Sequence, residues 1–217
     1  MTNITEVWLG DALDSMRTAP DKSVDFVFYD PPYNVGKDYG VYKDNLPQQE
    51  YRQWMEHCIS EATRISKRGV AVYVSGKLTK LFSQLMPDAH LIVVHKRAVG
   101  VRQGKYTLQY HSLFATAKPL VACKDVWNDI RLPGEGFFFR EPRFANPGLT
   151  SLALTKRVID TFTEKGEIVF DPFMGTGTTA VACIELDRIC RGVELNPAYL
   201  QIAHQRISAV EPKKDAS

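Results

Sequence analysis

Short apolar runs alternate with amphipathic stretches along this chain. Val7-Trp8-Leu9 and Val24-Asp25-Phe26-Val27-Phe28-Tyr29 are short and rich in β-branched and aromatic residues, as strands are, with an amphipathic stretch between them. From Tyr51 onward Trp54, Met55, Cys58, Ile59, Ala62 and Ile65 recur at helical spacing, and Gly69 closes that helix. A further strand is predicted at Val70–Val74, then a helix around Leu78–Leu85. Leu91–Val94 and Leu108–Ala115 read as a strand pair bracketing a basic loop, and Pro119–Pro147 as irregular chain. The closing pattern is a helix at Leu152–Phe162, the strand Ile168–Phe170, a helix after Gly177 and the strand Ile189–Glu194. Asn196 then caps a last helix that has Pro197 at its first position.

Strands alternating with helices predict an α/β fold, its mostly parallel sheet covered on both faces. With 217 residues, 44% of them hydrophobic and 24% charged, the chain suits one compact domain and excludes disordered or fibrous classes. We expect one domain over residues 1–210 and a flexible tail at 211–217. No apolar stretch approaches the roughly 18 to 20 residues that span a bilayer. The polar, acidic Met1–Gly10 does not resemble a signal sequence. Cys58, Cys123, Cys183 and Cys190 form no C-x-x-C pair, so they read as reduced thiols of a cytoplasmic protein and not as a structural zinc site.

Charge changes the picture once it is divided by region. The net +2 is 10 basic against 12 acidic groups in residues 1–90 (−2), 11 against 4 in 91–157 (+7) and 6 against 9 in 158–217 (−3). A basic middle between acidic ends suits a polyanionic partner, although an unevenly sampled solvated surface would look the same.

Two loops carry candidate chemistry. Asp30-Pro31-Pro32-Tyr33 follows a buried strand. Its prolines fix φ and remove two N–H donors, holding an acid and an aromatic at the strand's carboxyl end, where open α/β sheets bind ligands. The alternative is a proline-rich turn with a capping Asp. The second loop, Phe170 to Thr179, reads strand, glycine turn (Gly175-Thr176-Gly177), helix. Glycines admit a ligand close to the backbone, and the helix start offers free N–H groups. It lacks the G-x-x-x-x-G-K-[ST] of a phosphate loop. Glu194 ends the next strand 19 residues after Gly175, near the spacing at which an acid holds a ribose diol in dinucleotide-type folds; the alternative is a surface acid before the Asn196 cap.

Taken together these residues resemble the S-adenosylmethionine-dependent DNA amino-methyltransferases, which methylate adenine N6 or cytosine N4. Asp30-Pro31-Pro32-Tyr33 is similar to that family's catalytic motif. Asp171-Pro172-Phe173-Met174-Gly175-Thr176-Gly177-Thr178-Thr179 is similar to its D-P-F-x-G-S-G-T-T cofactor motif. Gly192 to Tyr199 resembles the G-I-E-x-x-x-x-Y segment, Gly10-Asp11-Ala12-Leu13 the G-D-x-L element, and Gln109 to Thr116 the strand ending in L-F-A-T. The resemblance runs from about residue 5 to 207. With the catalytic loop ahead of the cofactor loop, the order resembles the β group, a circular permutation. It implies a Rossmann-like methyltransferase fold, with a seven-stranded, mostly parallel sheet containing one antiparallel strand. The N-terminal strand would sit at one side, with the last two strands returning beside it. One departure stands out: where the family has H-P-T-x-K-P, this chain has Asn146-Pro147-Gly148-Leu149-Thr150-Ser151.

The resemblance implies a role for each matched residue. Asp30 and the Pro31 carbonyl would accept the two hydrogens of an exocyclic amine, with Pro32 completing the turn and Tyr33 stacking on a base flipped from double-stranded DNA. Asp171 and the backbone from Gly175 to Gly177 would face the methionine end of S-adenosylmethionine, Glu194 would hold the ribose hydroxyls, and Asp11 with Ala12 would flank the adenine. Pro172, Phe173, Thr178, Thr179, Leu195 and Asn196 would complete the cofactor site, Phe173 being equally placed to be core. Lys96, Arg97, Arg102, Lys105, Arg131, Arg140 and Arg143 are the expected phosphate contacts, inside a recognition region of about 97–145. Phe137-Phe138-Phe139 would wedge into DNA or pack in the core. So short a region implies a short site, a loose one, or recognition shared in a homodimer. No metal is required. The target is expected to be adenine N6, since cytosine enzymes more often carry Ser in place of Asp30. Cytosine N4 is the first alternative, a protein glutamine or RNA substrate the second (those enzymes more often show N-P-P-Y), and an inactive DNA-binding subunit the third.

Overall fold

A computed structural model of the chain describes residues 5–95, 101–103, 106–130 and 150–210, and of residues 101–103 and 106–107 the backbone alone. In chain order the elements are β1 (Glu6–Leu9), α1 (Ala12–Thr18), β2 (Phe26–Tyr29), α2 (Gln48–Ile65), β3 (Val70–Ser75), a 3-10 turn (Gly76–Leu78), α3 (Thr79–Leu85) and β4 (His90–His95). They continue with β5 (Val101–Gln103), β6 (Tyr106–Leu108), β7 (Tyr110–Ala115), β8 (Val126–Trp127), α4 (Leu152–Phe162), β9 (Ile168–Asp171), α5 (Thr178–Glu185), β10 (Ile189–Glu194) and α6 (Pro197–Val210).

The strand order is β1-β10-β9-β2-β3-β7-β4-β8, with β5 and β6 forming a separate antiparallel hairpin. Strand β7 alone runs against its neighbours β3 and β4. Strand β1 lies at the edge, with β10 and β9 returning beside it. Among the described residues the sheet has eight strands and not the expected seven. The addition is β8, a two-residue strand pairing Val126 and Trp127 with Val93 and Val94, inside the stretch read as irregular. Two residues are too few to show a period of two. Trp127 pins them: its ring is fully buried beneath the Arg157 guanidinium, 4.5 Å from the ring centroid, and its indole N–H donates to the Lys124 carbonyl.

The core explains why the runs at β2 and β3 are apolar at every position. Alternate residues enter opposite faces. Phe26, Phe28, Ala71 and Tyr73 pack with Val158, Phe162 and Ala182 of α4 and α5, whereas Val27, Tyr29, Val70, Val72 and Val74 pack with Met55, Cys58 and Ala62 of α2. A strand buried on both faces has no polar side, so its sequence is uniformly hydrophobic.

Strands β1, β10, β9 and β2 are consecutive in the sheet and mutually parallel. Their carboxyl ends therefore lie along one edge. They deliver Asp11, Glu194, Asp171 and Asp30 to it, an acid apiece.

Candidate active site

A cavity of about 320 Å³ opens along that edge, lined by Gly10, Asp11 and Ala12 after β1, Glu194, Leu195 and Asn196 after β10, Pro172, Phe173 and Gly175 after β9, and Asp30 and Pro32 after β2. A smaller one of about 70 Å³ lies beside it, walled by Thr150, Asp171, Thr176, Thr178 and Thr179 among others. Asp30, Phe173 and Gly175 line both, so Asp30 stands where the two meet.

The loop from Asp30 to Tyr33 is braced from several directions. Tyr51 of α2 donates its hydroxyl to the Pro32 carbonyl at 2.8 Å. Buried Asp44 accepts from the backbone N–H groups of Asn34 and Val35 at 2.6 and 2.9 Å, folding the segment after Tyr33 back on itself. Asp30 itself accepts one hydroxyl on each oxygen: Tyr33 on Oδ1 at 2.5 Å and Thr150 on Oδ2 at 2.6 Å. Lost hydration pushes its carboxyl up to about 6, against the opposing pull of these hydroxyls and of the Lys37 charge. The Tyr33 ring is thus partly committed within the protein, and the Lys37 ammonium sits 5.8 Å from its centroid.

The second loop ties itself. Asp171 accepts from the Phe173 N–H (2.8 Å) and the Thr179 hydroxyl (2.5 Å), closing the turn with its own neighbours. Burial, with the charges of Asp30 and Glu194 adding to it, pushes its carboxyl up to about 7. Glu194 accepts from Gly175 N–H on Oε2 and Asn196 N–H on Oε1, both at 2.7 Å, and burial raises its pKa as well. The Leu195 backbone also donates to it, so of a carboxylate's roughly four acceptor positions about one remains on Glu194.

Several matched residues prove to have structural work. Asp11 caps α1, its Oδ1 accepting from Leu13 and Asp14 N–H, while still lining the large cavity. Asn196 caps α6 through Ala198 N–H and donates its amide to the Tyr39 carbonyl. Gly177, expected to admit a ligand, lines neither cavity. Its φ is +84°, and a Cβ there would lie 2.9 Å from the Ala203 Cβ of α6, so backbone shape and helix packing account for it. Pro31 and Tyr33 also lie outside both cavity linings; Pro32 lines the large one. Lys96, Arg97, Lys105, Arg131, Arg140, Arg143 and Phe137–Phe139 lie outside the described residues, and Arg102 is placed only as backbone of β5, opposite Thr107.

Comparison with known proteins now bears on what this edge does. The family profile described as DNA methylase, covering N6 and N4 enzymes, matches residues 24–103 and 95–205. The chain belongs to the N6/N4 DNA methylase family. Type II methyltransferase M.HpaI of Haemophilus parainfluenzae is 23% identical over 92% of the chain and 73% of its own length. DNA adenine methyltransferase YhdJ of Escherichia coli is 26% identical over 91% and 81%. Among solved structures, a DNA modification methylase of Thermus thermophilus, complexed with S-adenosyl-L-methionine, superposes with a TM-score of 0.70 at 22% identity, over 97% of this chain and 96% of that one. The cytosine-N4-specific PvuII DNA methyltransferase gives 0.74 at 16%, over 99% and 90%. This DNA methylase thus shares the fold of a cytosine-N4 enzyme and is similar in sequence to an adenine enzyme.

The methylase builds the rest of its large cavity from residues to which sequence reasoning gave no role, Tyr199 having been matched only as the end of its segment. Tyr39, Val41, Tyr42 and Leu46 come from the loop between β2 and α2, Trp54 from α2 and Tyr199 from α6. Trp54 meets Phe173 edge-on at 5.7 Å and Tyr42 at 5.6 Å, joining the wall to the glycine loop. Trp54 reads from its spacing as an ordinary inward position of α2. The clustered aromatics of Tyr39, Tyr42 and Tyr51 were the available signal. Thr150, in the segment that departs from the family pattern, is the other omission.

Proposed function

We propose that this DNA methyltransferase transfers a methyl group from S-adenosylmethionine to the exocyclic N6 of an adenine flipped out of double-stranded DNA. The observation carrying the reading is Asp30 itself. It stands at the junction of two cavities, with one protein donor on each oxygen and one acceptor position left on each.

The residues present fit the cofactor. Three acids with raised pKa values, Asp30, Asp171 and Glu194, border connected cavities and suit a ligand carrying positive charge. The acceptor position left on Glu194 suits a ribose hydroxyl, and Phe173, Tyr39 and Trp54 suit a flat ring. S-adenosylmethionine, when bound, supplies an electrophilic methyl group. Asp30 and the Pro31 carbonyl would accept the two amino hydrogens of the target, drawing its nitrogen lone pair out of conjugation with the ring. The Pro32 carbonyl is already taken by Tyr51. An Asp30 carboxyl held near 6 is basic enough to receive the proton that methylation releases. Fixed groups of this kind lower the barrier by positioning and electrostatics. Tyr33 would stack on the flipped base once Lys37 withdraws from its ring.

The test is tritiated methyl transfer to plasmid DNA by wild type and Asp30→Ala, with the modified nucleoside identified by mass spectrometry. Retained activity in the variant would sink the role of Asp30. Calorimetry with Glu194→Ala should show clearly weaker cofactor binding; unchanged affinity would remove Glu194 from the site. Cytosine N4 is the second reading, favoured by the PvuII superposition. Asp at the first position of the catalytic motif and the adenine-specific Escherichia coli relative favour N6. N4-methylcytosine among the nucleosides would decide for the rival. Lys96, Arg97, Arg102, Lys105, Arg131, Arg140 and Arg143 are assigned to phosphates of DNA in the cytoplasm, so affinity should fall steeply with salt.

A further inference from the structure

The donor on Asp30 Oδ2 comes from far away in sequence. Thr150 stands two residues before α4, 120 positions from Asp30, and reaches it at 2.6 Å. Setting Asn146-Pro147 against the H-P of H-P-T-x-K-P puts Thr150 where the family carries lysine. A lysine offers a charge on a flexible four-carbon stem, whereas threonine offers a hydroxyl on a β-branched side chain that is stiff at χ1. The small cavity is walled by both residues of this pair.

We propose that Thr150 is a positioning residue for methyl transfer: its hydroxyl and that of Tyr33 grip opposite oxygens of Asp30 and fix the plane of the carboxylate, directing its two remaining acceptor positions at the target amine. The proposal rests on the reading of Asp30 as the acceptor of the amino hydrogens. With one grip lost, the carboxylate turns about χ2 and its charged form loses a donor. Other groups bear on Asp30 and stay in place: Tyr33, Lys37 and Tyr39 of its own loop region, Tyr51 of α2 and Asp171 of β9. The Lys37 charge favours the ionised form and the Asp171 charge opposes it. Asp171 takes its donors from Phe173 and Thr179, so changing Thr150 leaves those bonds intact.

The experiment compares wild type with Thr150→Val, close in shape but without the hydroxyl, and Thr150→Ser, which keeps it. The first readout is the carboxyl carbon-13 titration of Asp30 in the ligand-free protein, assigned by its absence from Asp30→Asn. The second is the pH profile of kcat. The valine variant should move the Asp30 midpoint and the acid limb of kcat upward by about one pH unit. It should also cut kcat roughly tenfold at neutral pH, with KM for the cofactor changed less than about threefold. Serine should restore the wild-type midpoint. If valine leaves both midpoint and acid limb in place, the proposal is overturned whatever happens to kcat, because packing alone would explain the loss. Should the valine protein not fold, Thr150→Ala carries the same comparison. Active Asp30→Asn would instead defeat the underlying reading, while the ligand-free titration would still report whether Thr150 holds Asp30.

Discussion

The loops after β2 and β9 leave adjacent parallel strands at the same edge, and each begins with a carboxylate, yet they are stiffened by opposite means. The β2 loop removes freedom with two prolines and then takes its support from outside: Tyr51 on the Pro32 carbonyl, Thr150 on Asp30. The β9 loop uses backbone shapes that glycine permits, and Asp171 fastens it to Phe173 and Thr179 inside the same motif. The lesson concerns where each carboxylate finds its support. Asp171 takes both donors from inside its own motif, whereas Asp30 takes one from Tyr33 of its motif and the other from Thr150, far outside it.

Exchanging each acid for its amide should break this comparison most sharply. Asp30→Asn should lower single-turnover methyl transfer by roughly 10³-fold, as loss of a charge-stabilising group does, while cofactor affinity stays within a few-fold. Asp171→Asn should do the reverse, weakening cofactor binding by about tenfold through a loosened turn, with a smaller effect on the chemical step. Rapid-quench kinetics beside calorimetry separates the two. If both variants lose turnover and affinity in equal measure, the division of labour is wrong.

The same pair gives the ligand-free protein an unusual pH dependence. Both carboxyls keep their protons in the folded state, at about 6 for Asp30 and about 7 for Asp171, where an unfolded chain has already lost them near 3.8. The stability they contribute is full below pH 3.8 and is lost as pH rises through 6 and 7. Urea unfolding of the ligand-free protein should therefore show their contribution falling by a few kcal/mol between about pH 4 and pH 8. Most of it belongs to Asp171, which is only 4% exposed. Asp171→Asn should flatten that slope, and an unchanged slope would place the burden elsewhere.

Glycine substitutions sharpen the backbone half of the contrast. Gly177→Ala meets both a φ of +84° and the Ala203 Cβ at 2.9 Å, so it should cost about 1–3 kcal/mol in urea unfolding. Gly36→Ala, in the segment that follows Tyr33, has a φ of +79° but nothing within 4 Å of the new Cβ. It should cost only about 1–2 kcal/mol, the conformational penalty alone. Equal losses would mean that α6 yields to the new methyl.

The contrast also marks how far the sequence could be read. Asp171 meets partners two and eight positions away, so its motif carries its own explanation, and the four strand ends that gather the acids follow from the alternation of runs. Thr150 meets Asp30 across 120 positions, and pairing at that distance leaves no mark on local pattern. Trp54 occupies a spacing that any core residue of α2 would fill, and β8 is too short to have a period. Gly177 matched its motif for a reason the motif does not state: α6, from the far end of the chain, lies against it.

The gentlest probe is Pro31→Ala. Proline lowers the entropy of the unfolded chain, so its loss should cost about 0.4–1 kcal/mol. The native shape should survive, because Tyr51 still holds the Pro32 carbonyl and Asp44 still holds the backbone of Asn34 and Val35. Turnover should then change by less than about twofold, because a cost that acts through the unfolded chain does not enter the barrier to methyl transfer. A thermal melt and a steady-state assay suffice to measure both. A hundredfold loss with the melt little changed would mean that proline does more than stiffen the loop: it would make the direction of the Pro31 carbonyl itself part of the chemistry, and the outside braces insufficient to set it.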